Sequence, residues 1–181
     1  MIFVTGATGF IGQQLLHALE SNPASFAHTQ PSDIKILSRC PHQDYKTVIC
    51  DLEIDLIPED TLNGIETVFH LAGFAHDIRD ATEVEHLYRA VNVDATEKLA
   101  QLAVASGVKR FVFVSSVKAG GNSVDGTPEG VYGKTKHEAE LKILEIGRQS
   151  GMHISIVRPS LVYGPGVKGN LALMRRGIEQ G

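Results

Sequence analysis

The 181-residue sequence contains only two cysteines, Cys40 and Cys50. They do not form a Cys-x-x-Cys motif, and no two of the eight histidines stand at the spacing of a metal-ligand pair. The sequence therefore excludes a disulfide framework and predicts no metal site. We interpret His70 and His76, the histidines nearest to candidate functional motifs, as structural residues.

Long hydrophobic runs and clusters of one charge are also missing. No apolar stretch approaches the roughly 20 residues that cross a bilayer, and Met1 leads into an apolar segment without a basic leader region. The net charge is -4, and the lysines and arginines form no run. A nucleic-acid partner is therefore not expected. We expect a cytoplasmic protein without a membrane segment, whose length suits a single domain.

The amino terminus carries a glycine-rich turn. An apolar run at residues 2–4 precedes Gly6, Gly9 and Gly12, and a helical pattern comes next. This order predicts a strand, a tight turn and a helix. Glycine allows a positive φ and a close backbone approach, and the free N–H groups and dipole of the helix attract an anion such as a pyrophosphate. A turn that only reverses the chain would show the same glycines.

Strands and helices alternate along the chain. Strands are predicted near residues 34–37, 48–50, 67–71, 110–114 and 153–157, with one long helix ending at Gly107 and another over 131–149. This alternation predicts an α/β fold with a doubly wound, mainly parallel sheet. Ligands bind such sheets at the carboxyl ends of the strands, where every candidate residue falls.

Arg39 and Asn92 leave alternatives open. No acidic residue ends the second strand, and Arg39 stands there instead. An arginine at this point can accept the 2′-phosphate of NADP, which gives a slight preference for NADP over NAD. A solvated surface arginine would look the same. Asn92 lies in the middle of the long helix, where its side chain either makes a specific hydrogen bond or only faces solvent.

Ser116, Tyr132 and Lys136 suggest acid–base chemistry. Ser116 ends a strand, and Tyr132 and Lys136 lie one turn apart on the helix that comes after a loop. A tyrosine with a pKa of about 10 is a poor base at neutral pH, but a nearby ammonium favours the phenolate. We therefore expect the Lys136 charge to activate Tyr132. Such a set can move a hydroxyl proton while a nicotinamide takes the hydride.

These motifs, in this order, resemble the extended short-chain dehydrogenase/reductases. They are Thr-Gly-Ala-Thr-Gly-Phe-Ile-Gly at 5–12, His-Leu-Ala-Gly at 70–73, Asn92, Ser-Ser at 115–116, Tyr-Gly-Lys-Thr-Lys at 132–136 and Arg-Pro-Ser-Leu-Val-Tyr-Gly-Pro-Gly at 158–166. Within that group the chain resembles the NAD-dependent epimerase/dehydratase family and its UDP-glucose 4-epimerase-like subgroup. The resemblance implies a Rossmann fold, bound NAD or NADP and a nucleotide-sugar substrate.

The resemblance also implies the site residues. Ser116, Tyr132 and Lys136 would be catalytic, and Ser116 matches the catalytic hydroxyl better than Ser115 does. Ser116 and Asn170 would contact the substrate. Val117 and Lys118 replace the Asp-Glu pair of the 4,6-dehydratases, so an epimerase or reductase is expected rather than a dehydratase. The implied cofactor-binding positions are Gly6, Gly9, Phe10, Ile11, Gly12, Asp51, Leu52, Leu71, Ala72, Gly73, Asn92, Tyr132, Lys136, Pro159 and Val162.

The resemblance covers the cofactor-binding part of the family. Residues 1–167 would form the Rossmann domain, and 168–181 would begin a substrate-binding lobe that is largely absent. A non-catalytic NAD(P)-binding module, or a fragment of a longer enzyme, is therefore the alternative to a nucleotide-sugar epimerase or reductase. The family also implies a homodimer through the helices that carry Asn92 and Tyr132.

Overall fold

The computed structural model describes residues 1–21, 29–75, 81–120, 126–164 and 178, with the backbone alone at 81–83. Six strands form one sheet in the order β3-β2-β1-β4-β5-β6, and every neighbouring pair is parallel. This is the strand order of a Rossmann fold, so the predicted fold is confirmed. The strands are β1 (Ile2–Thr5), β2 (Ile34–Ser38), β3 (Lys46–Ile49), β4 (Thr67–His70), β5 (Arg110–Val114) and β6 (His153–Val157).

Helices cover both faces of the sheet. Successive side chains of a strand point to opposite faces, so Phe3 joins the larger apolar cluster, which includes residues of α3 and α4, while Val4 joins a smaller cluster with residues of α1. The strand order reverses between β1 and β4, which opens a crevice at their carboxyl ends. The α-helices are α1 (Phe10–Ser21), α2 (Ala81–Arg89), α3 (Ala95–Ala105) and α4 (Gly130–Ser150).

The long helix before Gly107 is less regular than predicted. A π-helical turn, Ala90–Asp94, joins α2 to α3, and Gly107 lies just after α3 with a φ of 74°. A π-helical turn holds more residues than an α-helical one. Three consecutive side chains, Val91, Asn92 and Val93, are therefore buried here, which a straight amphipathic helix does not allow.

Some predictions lie outside the described residues. Among them are His76, the substrate-binding position Asn170, and nearly all of residues 168–181, the predicted start of a substrate-binding lobe. Within the described ranges, no helix combines the length and apolarity that a membrane span needs. The same ranges contain no group of three histidine, cysteine or acidic side chains that could hold a metal ion.

Candidate active site

Two glycines of the turn between β1 and α1, Gly6 and Gly12, have no room for a side chain. Gly6 has a φ of +68°, and a Cβ added to it would lie 2.7 Å from the backbone N of Ala72. A Cβ added to Gly12 would lie 2.2 Å from the carbonyl oxygen of Gly6. The backbone N–H of Gly9 donates to that same oxygen at 3.0 Å. The first turn of α1 has no acidic residue that would repel an anion at this helix terminus.

A buried hydrogen-bond network fixes this turn against the end of β4. The backbone N–H of Ala72 donates to the Thr5 hydroxyl oxygen at 3.1 Å, and that hydroxyl lies 2.6 Å from Nδ1 of His70. Nε2 of His70 lies 2.8 Å from the Thr96 hydroxyl. Burial, assisted by the Lys136 charge, lowers the pKa of His70 to about 3. His70 is therefore a neutral structural residue, as the sequence predicted.

Asn92 fixes the segment immediately after β4. Its Oδ1 accepts from the backbone N–H of Phe74 at 2.8 Å, and its Nδ2 donates to the carbonyl oxygen of Phe74 at 3.0 Å and to Thr135 Oγ1 at 3.2 Å. Of the two alternatives for Asn92, the structure shows the specific hydrogen bonds. Gly73 lies between this contact and Lys136, since an added Cβ would be 3.1 Å from Asn92 Oδ1 and 3.4 Å from Lys136 Nζ.

Ser116 and Tyr132 meet at the carboxyl end of β5. Ser116 caps a short 3-10 turn, Val117–Ala119, where its Oγ accepts from the backbone N–H of Lys118 at 3.3 Å. Tyr132 begins α4 and packs edge-on against Tyr88, with the ring centroids 6.3 Å apart. Burial raises the pKa of the Tyr132 phenol, a hydrogen bond with Ser116 opposes that rise, and Tyr88 adds to it.

Lys136 is buried behind this pair. Its side chain is 2% exposed, and its Nζ lies 4.3 Å from the ring centroid of Phe113. Burial lowers the pKa of Lys136 to about 7, and the charge of Glu140 partly opposes this. Both shifts run in the direction opposite to the activation of Tyr132 by Lys136 that the sequence suggests, and that activation stays a prediction. The site excludes water from both groups, so each is shifted toward its neutral form.

Replacing Lys136 by methionine is expected to stabilise the fold at low pH. The folded-state pKa of about 7 lies below the ordinary 10.5, so below pH 7 the folded state carries the full cost of a buried charge. Between pH 7 and 10.5 the unfolded state holds the extra proton, and this cost fades as the pH rises. We expect Lys136→Met to gain up to about 5 kcal/mol at pH 6 and almost nothing near pH 10.5.

Urea unfolding of the parent and of Lys136→Met from pH 6 to 10.5 measures the difference in their free energies of unfolding. The contributions of other titrating groups cancel in that difference. Lys134→Met is the matched control, because Lys134 lies on the same helix but is exposed. A difference in unfolding free energy that stays constant across this pH range would contradict a lowered pKa of Lys136.

The remaining predicted residues also lie at the carboxyl edge, apart from this cluster. Asp51 comes after β3 and stabilises its own turn, since its Oδ1 accepts from the N–H of Glu53 at 3.1 Å. Arg39 is exposed directly after β2 and makes no hydrogen bond or ion pair with the described part of the chain. Beyond β6, the carbonyl oxygen of Pro159 accepts from the N–H of Val117 at 3.2 Å, and Val162 is exposed.

Two features of the site were missed from the sequence. The Oγ of Ser115 is buried, and it has no hydrogen-bond partner among the described residues. Glu140 is buried on α4 and pairs with Arg158, which lies just after β6. The spacing of Glu140, four residues after Lys136, was a usable signal for the second feature.

Comparison with known proteins identifies the family. The NAD dependent epimerase/dehydratase family matches residues 2–181. UDP-glucose 4-epimerase of Vibrio cholerae is 36% identical, and the alignment covers 99% of this chain and 57% of that protein. 3-beta-hydroxysteroid dehydrogenase of Mycolicibacterium neoaurum is 30% identical, and the alignment covers 98% of this chain and 51% of that protein. The chain thus spans about half the length of these relatives.

Solved structures agree with this result. MoeE5 in complex with UDP-glucose and NAD is 30% identical and superimposes with a TM-score of 0.76, over 96% of this chain and 58% of that one. The UDP-glucuronic acid 4-epimerase of Bacillus cereus, at 22% identity and a TM-score of 0.78, shares the fold. The family match over almost every residue and the 36% identical relative together show that this chain belongs to the NAD-dependent epimerase/dehydratase family.

Proposed function

We propose that this chain binds a nicotinamide dinucleotide and supplies the acid–base residues of an epimerase or reductase acting on a UDP-sugar. The observation that carries the proposal is that Ser116 and Tyr132 hydrogen-bond each other and the buried Lys136 lies one turn after Tyr132 on α4, at the edge of the sheet that holds the glycine turn. The Vibrio cholerae relative and the UDP-glucose complex of MoeE5 support the choice of substrate class.

The glycine turn fits the pyrophosphate of the cofactor. Any Cβ at Gly6 or Gly12 would collide with backbone, so these residues keep the turn tight and leave the N–H groups of α1 available to the phosphates. Gly73 is exposed and has no side chain beside Lys136, which leaves space next to the ammonium. When bound, NAD supplies the hydride acceptor of the reaction.

Tyr132 would exchange the proton of the reacting sugar hydroxyl. Its phenol oxygen accepts that proton only as phenolate, and burial opposes the phenolate. Positive charge from Lys136 favours it, and Ser116 can transfer its hydrogen bond from Tyr132 to the substrate oxygen. The same residues serve an epimerase and a reductase. An epimerase first passes the hydride to NAD and the proton to Tyr132 and then returns a hydride to the same carbon, whereas a reductase only transfers a hydride from NAD(P)H and a proton from Tyr132 to a keto sugar.

The proposed substrate class is tested by comparing activity on a UDP-sugar with activity on a steroid. The Mycolicibacterium neoaurum relative is named for a 3-beta-hydroxysteroid, and a sterol hydroxyl could be oxidised by the same residues. Epimerisation of UDP-glucose or UDP-glucuronic acid without net NADH, or oxidation of NAD(P)H by a 4-keto UDP-sugar, together with no hydride exchange with a 3-beta-hydroxysteroid, would support the proposal. The reverse result would overturn the substrate class. Cofactor binding without turnover on either substrate would favour the non-catalytic module.

The choice between NAD and NADP depends on Arg39. The solved neighbour holds NAD, whereas an exposed arginine at the end of β2 favours the 2′-phosphate of NADP. We expect Arg39→Asp to weaken NADPH binding by at least about tenfold and to leave NADH binding within about threefold. Titration by nicotinamide fluorescence measures both.

Lys109→Asp is the matched control for Arg39→Asp. Lys109 is exposed and immediately precedes β5, at the opposite edge of the sheet. The Lys109→Asp substitution changes the net charge as much as Arg39→Asp does and should leave the affinities for NADPH and NADH unchanged. Equal loss of NADPH binding in both variants would remove the role of Arg39.

The domain boundary at residue 167 and the homodimer stay predictions.

A further inference from the structure

Helix α4 carries a buried carboxylate near the candidate catalytic residues, and it pairs with a partly exposed arginine, Arg158. Glu140 lies one helical turn after Lys136, and its side chain is 2% exposed. Nε of Arg158 donates to Oε1 of Glu140 at 2.9 Å, and Nη2 donates to Oε2. Two parallel hydrogen bonds make this the strong, oriented form of an arginine–carboxylate contact.

The pair joins two parts of the site. Glu140 is on the helix of Tyr132 and Lys136, and Arg158 comes directly after β6. The next residue, Pro159, accepts from the N–H of Val117, the residue after Ser116. The ion pair therefore connects the helix of the base to the segment beside the Ser116 turn.

Lys136 needs a negative neighbour. A buried ammonium without a compensating charge or acceptor is costly, and among the described residues no oxygen accepts a hydrogen bond from its Nζ. The ring of Phe113 faces the ammonium on one side. Glu140, equally buried and one turn further along α4, is the carboxylate whose charge acts on it.

We propose that Glu140 and Arg158 form a positioning pair, in which the carboxylate compensates the buried Lys136 ammonium and Arg158 holds that carboxylate and ties it to the end of β6. The importance of the pair for catalysis rests on the proposed function. Its effect on Lys136 does not, because it can be read without substrate or cofactor. Failure of one therefore does not imply failure of the other.

Few other titratable groups face this region. The α3 carboxylate Glu97 pairs with Lys142, further along α4, at 2.6 Å. Nδ1 of His137 lies 3.9 Å from Oε2 of Glu140. The titratable groups around Lys136 are His70 from β4, Tyr88 from α2, Tyr132, His137 and Glu140 from α4, and Arg158 from the segment after β6.

The test is the titration of Lys136 in Glu140→Gln. Carbon-13 NMR of the lysine Cε, with Lys136→Met assigning the signal, gives the midpoint directly. We expect Glu140→Gln to lower this midpoint by about one pH unit or more, because an opposite charge within one helical turn is lost. Glu140→Asp keeps the charge and should recover most of the parent midpoint.

Glu138→Gln is the matched control. Glu138 lies on the same helix and also pairs with an arginine, Arg89, but this contact is exposed. Exposed pairs contribute little, so its Lys136 midpoint should equal that of the parent. An unchanged midpoint in Glu140→Gln would overturn the proposal and leave the pair a packing contact.

A second variant decides the matter if Glu140→Gln folds too weakly to titrate. Without the carboxylate the buried ammonium costs more, so Lys136→Met is expected to raise the urea midpoint more in the Glu140→Gln background than in the parent. Lys134→Met should have the same small effect in both backgrounds. An equal gain from Lys136→Met in both backgrounds would overturn the proposal.

Discussion

Replacing Tyr132 by phenylalanine is expected to slow hydride transfer from a UDP-sugar to NAD by about 10²- to 10⁴-fold, the usual contribution of a positioned acid–base group. The variant loses the phenol oxygen and keeps the ring that packs against Tyr88. The proton of the sugar hydroxyl then has no acceptor on α4, while the glycine turn is untouched. NADH affinity should stay within about threefold of the parent. Single-turnover absorbance of NADH measures the rate, and fluorescence measures the affinity.

Tyr88→Phe is the control for this experiment. Tyr88 contacts both Phe74 and Tyr132 through its ring, so removal of its hydroxyl leaves the aromatic packing and the proposed proton acceptor in place. We expect a rate within about threefold of the parent. If Tyr132→Phe kept the parental rate, another group would move the proton and the proposed mechanism would be lost.

Replacing Gly12 by alanine is expected to have the largest effect on cofactor binding. The new Cβ would lie 2.2 Å from the Gly6 carbonyl oxygen and 2.7 Å from the Cα and the carbonyl oxygen of Ala7. All of these are backbone atoms of the turn, so the turn itself must open. We expect a loss of about 3 kcal/mol in the free energy of unfolding and of at least about 100-fold in NAD affinity.

Gly9→Ala separates the two effects. A Cβ at Gly9 would lie 3.1 Å from the Gly6 carbonyl oxygen, a contact that a small shift relieves, and Gly9 is exposed at the turn. It should cost much less stability than Gly12→Ala. Urea unfolding and NAD titration of both variants measure the difference. Parental stability and affinity in Gly12→Ala would show that the turn is not as tightly packed as the structure indicates.

The fold and the location of the site were predictable because they depend on local patterns. Apolar strands that alternate with helices specify a parallel sheet, and the six strands lie close to the predicted residues. The glycines at 6, 9 and 12 predicted the turn, and the helical repeat placed Tyr132 and Lys136 one turn apart. The order of these motifs indicated the family, which is confirmed by the family match.

Protonation states were not predictable in this way. The sequence places an ammonium near a phenol and so predicts a phenolate, but the pKa of each group depends on how much water the fold removes. Burial has the largest effect on both groups here, since it lowers the pKa of Lys136 and raises that of Tyr132. Burial comes from helices and strands distant in sequence, which a local pattern does not contain.

The sequence by itself determined the order of the elements, the glycine turn and the residues that line one edge of the sheet, since each depends on spacing along a few turns of chain. Only the tertiary structure decided the partners of three buried polar groups. Asn92 turns inward because of a π-helical turn, His70 bridges Thr5 and Thr96, and Glu140 pairs with Arg158. Each contact joins residues 18 or more positions apart, and a buried polar group takes whichever partner the packing brings within hydrogen-bond distance.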